Sequence, residues 1–308
     1  MEKKEIVMRF VEKGVLLSPE VLKNINEENI EFYLKKADNQ EQTILGNIEK
    51  ESKVNVKIKR VVVKEKLLLK NFIKYYNNRY NGLKKILLEK VNPVSINNIK
   101  NSFSIVAVIG MVKEMRESGF ILEDMTGSVE VISKNKVDID DVIAVKGMRR
   151  EEKLLENKII FPNIPKENRL RKIDGVKVAF MKKLNKELKA DFIFTEEGKE
   201  EKNVFTNFTN PSWITISRGN NEMNILVYKP EKDVNPNIVV DYLVKRHLKP
   251  EPQMIKSEED YFLLEPIPDI MWILSEKKWA RNYNGVSIIS CGGGGVLVDL
   301  GKRGVEFI

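Results

Sequence analysis

Two side chains limit the chemistry open to this chain. His247 is its single histidine and Cys291 its single cysteine. Histidine is the commonest transition-metal ligand and the usual general base near neutral pH. With one of each, no multi-histidine metal centre, internal disulfide or cysteine-based zinc site can be assembled. A carboxylate-only magnesium site needs acidic residues that converge in space, and no Asp/Glu motif in the chain announces one. His247 closes an apolar helical stretch, where a solitary histidine is expected to cap or pack. Cys291 fits a reducing cytoplasm.

What remains is the chemistry of charge. The 308 residues carry 53 Lys and Arg against 45 Asp and Glu, a net +8, which permits nucleic-acid contact without establishing it. Lys113, Arg116, Arg149 and Arg150 flank a run of short strands and are the candidates for phosphate contact. Tyr75, Tyr76, Arg79 and Tyr80, beside Lys84 and Lys85, have the composition of a clamp that stacks bases. The same spacing equally describes the buried face of an amphipathic helix.

The elements that position these groups follow from the apolar pattern. Ile6, Val7, Phe10 and Val11 predict a helix that stops near Gly14, and Ser18-Pro19 opens a second with Ser18 as N-cap and Val21, Leu22 and Ile25 on one face. Val54 to Arg60 alternates apolar and polar residues, as a strand or an extended basic linker does. Residues 67–90 form the clearest helix of the first half, with an apolar stripe from Leu67 to Leu87, ended by Asn92-Pro93.

Between Phe103 and Ile164, several short strands joined by tight turns suit an OB-type barrel, with Thr126-Gly127 at one turn. Beyond residue 170, strands at Val176–Met181, Ile214–Ser217, Asn224–Tyr228, Pro268–Leu274, Val286–Ser290, Val296–Leu300 and Val305–Ile308 are interleaved with a helix at Asn237–Leu248. That helix is expected to turn Ile238, Val239, Tyr242 and Leu243 inward. The fold class is therefore a multidomain α+β chain. Its parts are an N-terminal helical element (1–50), a basic linker and helix (51–100), a barrel (101–166) and an α/β domain (167–308). No apolar run is long enough to span a bilayer, so no membrane is expected.

Several phrases carry a family resemblance: Asn77 to Leu87, Ile109-Gly110-Met111-Val112, Leu122 to Gly127, Phe161 to Pro165, Asn210-Pro211-Ser212, Lys245 to Pro250, Pro268-Asp269-Ile270 and Val296 to Leu300. In this order they resemble the small subunit of archaeal family D DNA polymerase, and more distantly the B-subunits of eukaryotic replicative polymerases. The resemblance implies an OB fold followed by a calcineurin-like phosphoesterase domain. Active members hold two metal ions there for 3′→5′ exonucleolytic cleavage.

The implied metal-ligand positions are altered in this chain. The Asp-x-His motif falls on Lys183, Leu184 and Asn185, the solitary histidine on Lys229, and Gly-His-x-His on Leu274, Ser275, Glu276 and Lys277. Only Lys186 to Asn203 remains of the central segment that would hold two further motifs. The resemblance therefore implies a shortened, degenerate phosphoesterase-like domain with no catalytic role and no cofactor. The expected role is that of a scaffold or accessory factor in DNA replication or repair. Its partner would be a polymerase large subunit or another replication protein, with DNA as a candidate contact and a nucleoid-associated location. The alternatives are an independent single-stranded nucleic-acid-binding barrel and, least favoured, a phosphoesterase with a rebuilt carboxylate site.

Overall fold

Period-two burial organises most of the fold. The computed structural model describes residues 3–12, 16–17, 22, 25, 30–37, 44–45, 53–61, 69–102, 104–166, 170–184, 188–255 and 257–308. The chain divides into two units, Met1–Lys53 and Val54–Ile308. In the first, helix α1 (Lys3–Val11) buries Ile6 and Phe10 with Ile30 and Tyr33 of α2 (Ile30–Ala37). Two short parallel strands, β1 (Leu16–Leu17) and β2 (Ile44–Leu45), accompany them. The expected second helix begins at Ser18, Pro19 and Val21, which lie outside the described residues; so do Gly14, Leu67, Leu68 and Phe103.

In the second unit, β3 (Asn55–Arg60) is a true strand. It pairs antiparallel with β12 (Ser212–Arg218), turning Val56 and Ile58 to the core and Lys57 and Lys59 to solvent. Of the two readings of this basic stretch, the structure takes the strand, because a sheet edge stands ready to accept its ladder. Helix α3 (Leu69–Leu88) follows, and then a short 3-10 helix at Ile96–Asn101.

Five strands close into a barrel: β4 (Ile105–Arg116), β5 (Gly119–Asp124), β6 (Gly127–Ile132), β7 (Val142–Arg150) and β8 (Lys153–Ile160). Their order is β4-β5-β6-β8-β7, with β6 and β8 parallel. The unbroken apolar run in β4 has a simple cause. Val106, Val108 and Val112 fill the barrel, while Ala107 and Ile109 pack outward against Tyr80, Leu83 and Leu87 of α3. The Leu122 to Gly127 phrase is a turn device. Asp124 Oδ1 accepts from the N–H groups of Thr126 (2.7 Å) and Gly127 (3.0 Å), and Oδ2 accepts from that of Ile96 (2.9 Å).

The remainder is a two-sheet sandwich. One sheet has the order β11-β10-β9-β17-β18, built from β9 (Lys177–Lys183), β10 (Phe192–Glu197), β11 (Val204–Phe205), β17 (Gly295–Asp299) and β18 (Gly304–Phe307). The other runs β15-β16-β14-β13-β12-β3, with β13 (Asn221–Tyr228), β14 (Ile270–Ile273), β15 (Lys278–Tyr283) and β16 (Val286–Cys291). Strand β14 shows why both sheets are needed. Ile270 and Trp272 face the other sheet, where Trp272 meets Phe180 at 5.2 Å between ring centroids, while Met271 and Ile273 face α4 (Pro236–Lys245).

Helix α4 corrects two expectations. It ends at Lys245 instead of Leu248, because Arg246 turns left-handed (φ 56) and its N–H and that of His247 bond back to Leu243 and Tyr242. Ile238, expected inward, is exposed in the first turn; Val239 and Leu243, one turn apart, carry the buried face.

Candidate functional site

Strands β9, β10, β13, β14 and β16 point their carboxyl ends to one edge of the sandwich, and parallel ladders set that direction. Crevices at such edges are where open α/β sheets bind ligands. Four of the expected positions fall here: Lys183 ends β9, Lys229 follows β13, and Ser275 and Lys277 follow β14. Asn185 lies outside the described residues.

Intramolecular ion pairs occupy the edge. Lys229 Nζ meets Glu196 of β10 at 2.6 Å, a link between the two sheets, and the bond to Glu196 raises the lysine pKa above its ordinary value. Lys277 meets Asp233 at 3.1 Å, and Lys182, the neighbour of the expected Lys183, meets Glu276 at 3.5 Å. Asn210 fixes Lys229 further, accepting from its N–H at 2.9 Å. Ser275 Oγ lies 3.0 Å from Ser290 Oγ, which donates to the Lys277 carbonyl at 2.7 Å.

Behind the edge, burial pushes the Cys291 thiol up, so it is a neutral packed group rather than a nucleophile. The glycine run then turns the chain: Gly292 has φ +55, and a Cβ there would stand 2.9 Å from the Glu276 carbonyl. Among the described residues, no three of His, Cys, Asp and Glu converge as a metal site requires.

The four barrel cations do not form one patch. Lys113 and Arg116 end β4, where they pair with Glu123 and Glu114, each at 3.0 Å. Arg149 donates to the backbone carbonyls of Lys100 and Glu151, both at 2.6 Å. Arg150 is exposed on the same outer ring as Glu114, reached through the pairings Arg150–Lys153, Lys153–Glu130, Glu130–Ile121 and Ile121–Glu114. That is four strand spacings, roughly 19 Å.

The aromatic clamp is resolved in favour of packing. Tyr75, Arg79 and Tyr80 are buried, at 1%, 4% and 5% exposure, and cannot receive bases. Instead Arg79 belongs to a buried polar network that no local signal announced. Its Nε donates to Asp260 at 3.3 Å and its Nη2 to the Tyr75 hydroxyl at 2.9 Å, while Nη1 stands 3.6 Å from Asp140 on the barrel.

His247 joins the same carboxylate, Nε2 to Asp260 Oδ2 at 2.8 Å, and its Nδ1 accepts from the Lys249 N–H at 2.9 Å. Burial drives His247 below the usual histidine range, so the neutral ring donates from Nε2. Alongside, Lys245 meets Asp141 at 3.1 Å and Asp241 at 3.0 Å, and also pairs with Asp138. Barrel, α3 and sandwich are thus fastened by charge as well as by apolar contact.

A closed five-stranded barrel coupled to a two-sheet sandwich, with its strand-end edge filled by lysine–carboxylate pairs, is the class of protein this structure defines. In sequence the chain is similar to the DNA polymerase II small subunit of Archaeoglobus fulgidus, with 32% identity over 108 residues. The match covers 32% of this chain and 22% of that protein, so it spans less than a quarter of the relative's length. No protein-family profile matches the chain. No helix among the described residues is long and apolar enough to cross a membrane.

Proposed function

We propose that this protein is a non-catalytic DNA polymerase small-subunit-like protein, a scaffold or accessory factor in DNA replication or repair. In this reading the barrel is OB-type and the sandwich is a degenerate calcineurin-like phosphoesterase domain. The barrel order β4-β5-β6-β8-β7 and the similarity to the archaeal small subunit support it.

The observation that carries it is the edge. The two metal ions of an active member do not fit the groups described there. Lys229 and Lys277 bring ammonium charge where a divalent cation needs anionic or neutral donors, and the nearby carboxylates Glu196 and Asp233 are already paired with them. The exposed surface, rather than a reaction centre, is then what the protein offers to a polymerase large subunit.

Two measurements test this. The purified chain is expected to co-elute with the large subunit of its own organism's polymerase. It is also expected to show no magnesium- or manganese-stimulated cleavage of single-stranded DNA above a buffer control. Stimulated cleavage that persists through purification and disappears in an Asp233→Asn/Glu196→Gln variant would assign a carboxylate-based enzyme instead.

A further inference from the structure

Away from the strand-end edge, an open groove runs along α3. Tyr76, Tyr80, Lys84 and Leu88 fall every fourth residue, on one face of the helix. They line two adjoining cavities of about 430 and 280 Å³, which share Asp124 and Met125 of the β5–β6 turn. From Tyr76 to Leu88 the groove is roughly 18 Å long. That is the span of roughly five extended residues.

Three properties describe what it can hold. Its rim is apolar and open, with Met125 75% and Leu88 46% exposed. Its wall is rigid before anything binds, because the Asp124 carboxylate is consumed by the Ile96, Thr126 and Gly127 N–H groups that fix the turn. Its Tyr76 end keeps an excess of acid: Glu123, Asp124 and Asp140 stand there against Lys113, paired with Glu123, and the buried Arg79, 3.6 Å from Asp140, in a chain whose net charge is +8. A phosphate backbone is repelled from such a site, whereas a cationic side chain beside apolar ones is complementary to it.

We propose that this groove docks a short segment of the catalytic partner subunit, with apolar side chains over Met125 and Leu88 and an arginine or lysine at the Asp140–Glu123 end. The proposal rests on the small-subunit reading and adds to it the surface and the chemistry of the contact.

The test uses the full chain and the purified polymerase large subunit of the same organism. A photo-reactive benzoyl-phenylalanine is placed at Met125, and for comparison at Met148 of β7, which is 48% exposed. Irradiation of the complex is expected to link position 125, and not 148, to a large-subunit peptide carrying Arg or Lys among apolar residues. Glu123→Lys is expected to weaken binding about tenfold at low salt and less at high salt. Glu123 is 44% exposed on its side chain, so the change is compatible with folding, and circular dichroism checks it.

If the complex forms but position 125 links only to DNA, to a second copy or to nothing, the groove proposal is overturned. The same holds if Glu123→Lys binds like the unaltered chain. If the unaltered chain fails to bind the large subunit at all, the small-subunit reading itself falls.

Discussion

Asp260→Asn is the sharpest probe of how the barrel, α3 and sandwich are held. The Asp260 side chain is fully buried and accepts from Arg79 Nε and His247 Nε2 on Oδ2 and from the Phe262 N–H on Oδ1. Burial acts to raise its pKa, but the hydrogen bond from His247, the charge of Arg79 and the Phe262 N–H hold it below the ordinary carboxylate value, so it is ionised. Asparagine keeps the shape and one acceptor. Its amide nitrogen, however, then faces two donors, and the Arg79 guanidinium, 4% exposed, keeps only the Tyr75 hydroxyl and the more distant Asp140.

Removing one partner of a buried pair costs about 3–5 kcal/mol, because the other charge is left uncompensated. For a domain of this size that corresponds to a Tm lowered by roughly 6–20 °C. Thermal unfolding followed by circular dichroism, with urea unfolding for the free energy, measures it. Arg79→Met in the Asp260→Asn background removes the stranded charge and is expected to recover part of the loss, a coupling visible in the double-mutant cycle. A Tm within about 2 °C of the parent for Asp260→Asn would show that the network contributes little. Strict additivity of the two changes would show that Arg79 and Asp260 do not act together.

The other predictions concern the edge, the barrel loop and the core. Gly292→Ala is expected to destabilise by about 1–2 kcal/mol or more, since φ +55 is left-handed and the new Cβ meets the Glu276 carbonyl. Gly293→Ala, where a Cβ meets nothing within 4 Å, is expected to be near neutral in the same urea titration. Asp138 titrates at about 2 instead of 3.8; burial opposes this, and Lys245 and Lys249 outweigh it. A depressed carboxyl contributes stability that is present above about pH 4 and lost as the pH falls through about 2. Because the side chain is 46% exposed, screening leaves that contribution at roughly 1 kcal/mol. Asp138→Asn should therefore flatten the acid limb of unfolding free energy between those pH values and leave its shape above pH 5 unchanged. Trp272→Ala, at 0% exposure between the sheets, is expected to cost about 3–5 kcal/mol in chemical denaturation.

Where burial is periodic, the sequence was legible. The β4 run, the Asp124 turn phrase and the α3 stripe all announce themselves, because a single physical pattern decides each. Strand β15 was missed because Lys278-Trp-Ala-Arg-Asn-Tyr283 is an edge strand with only Trp279 and Tyr283 half-buried, so its polar side chains hide the alternation. Strand β10 went unseen because only its Phe192-Ile193-Phe194 half is apolar, within a segment read as a remnant. The Arg79–Asp260–His247 network joins residues far apart in the chain, and nothing local to Tyr75-Tyr76 says that its arginine faces inward. The edge was legible only as positions. The partners of its lysines, Glu196, Asp233 and Glu276, arrive from three separate strand ends that topology alone brings together.

That separation explains how residues at the edge can change while the fold persists. The lysine pairs at the edge are exposed, with Lys229 at 59% and Lys277 at 76% side-chain exposure, and such pairs contribute about 0–1 kcal/mol each. The sheets are joined beneath them where Phe180 meets Trp272 at 5.2 Å, with Phe194 stacked beside Phe180 in the same sheet at 5.5 Å, all within the buried core. A substitution at the edge therefore changes what can bind there without drawing on the packing that holds the sandwich. The buried network around Arg79 has the opposite character: the Arg79, Asp260 and His247 side chains are all buried, and exchanging any one of the three disturbs the junction itself. On the scaffold reading proposed above, a junction that cannot change fixes the relative placement of barrel and sandwich, and surfaces that can change carry the individual contacts.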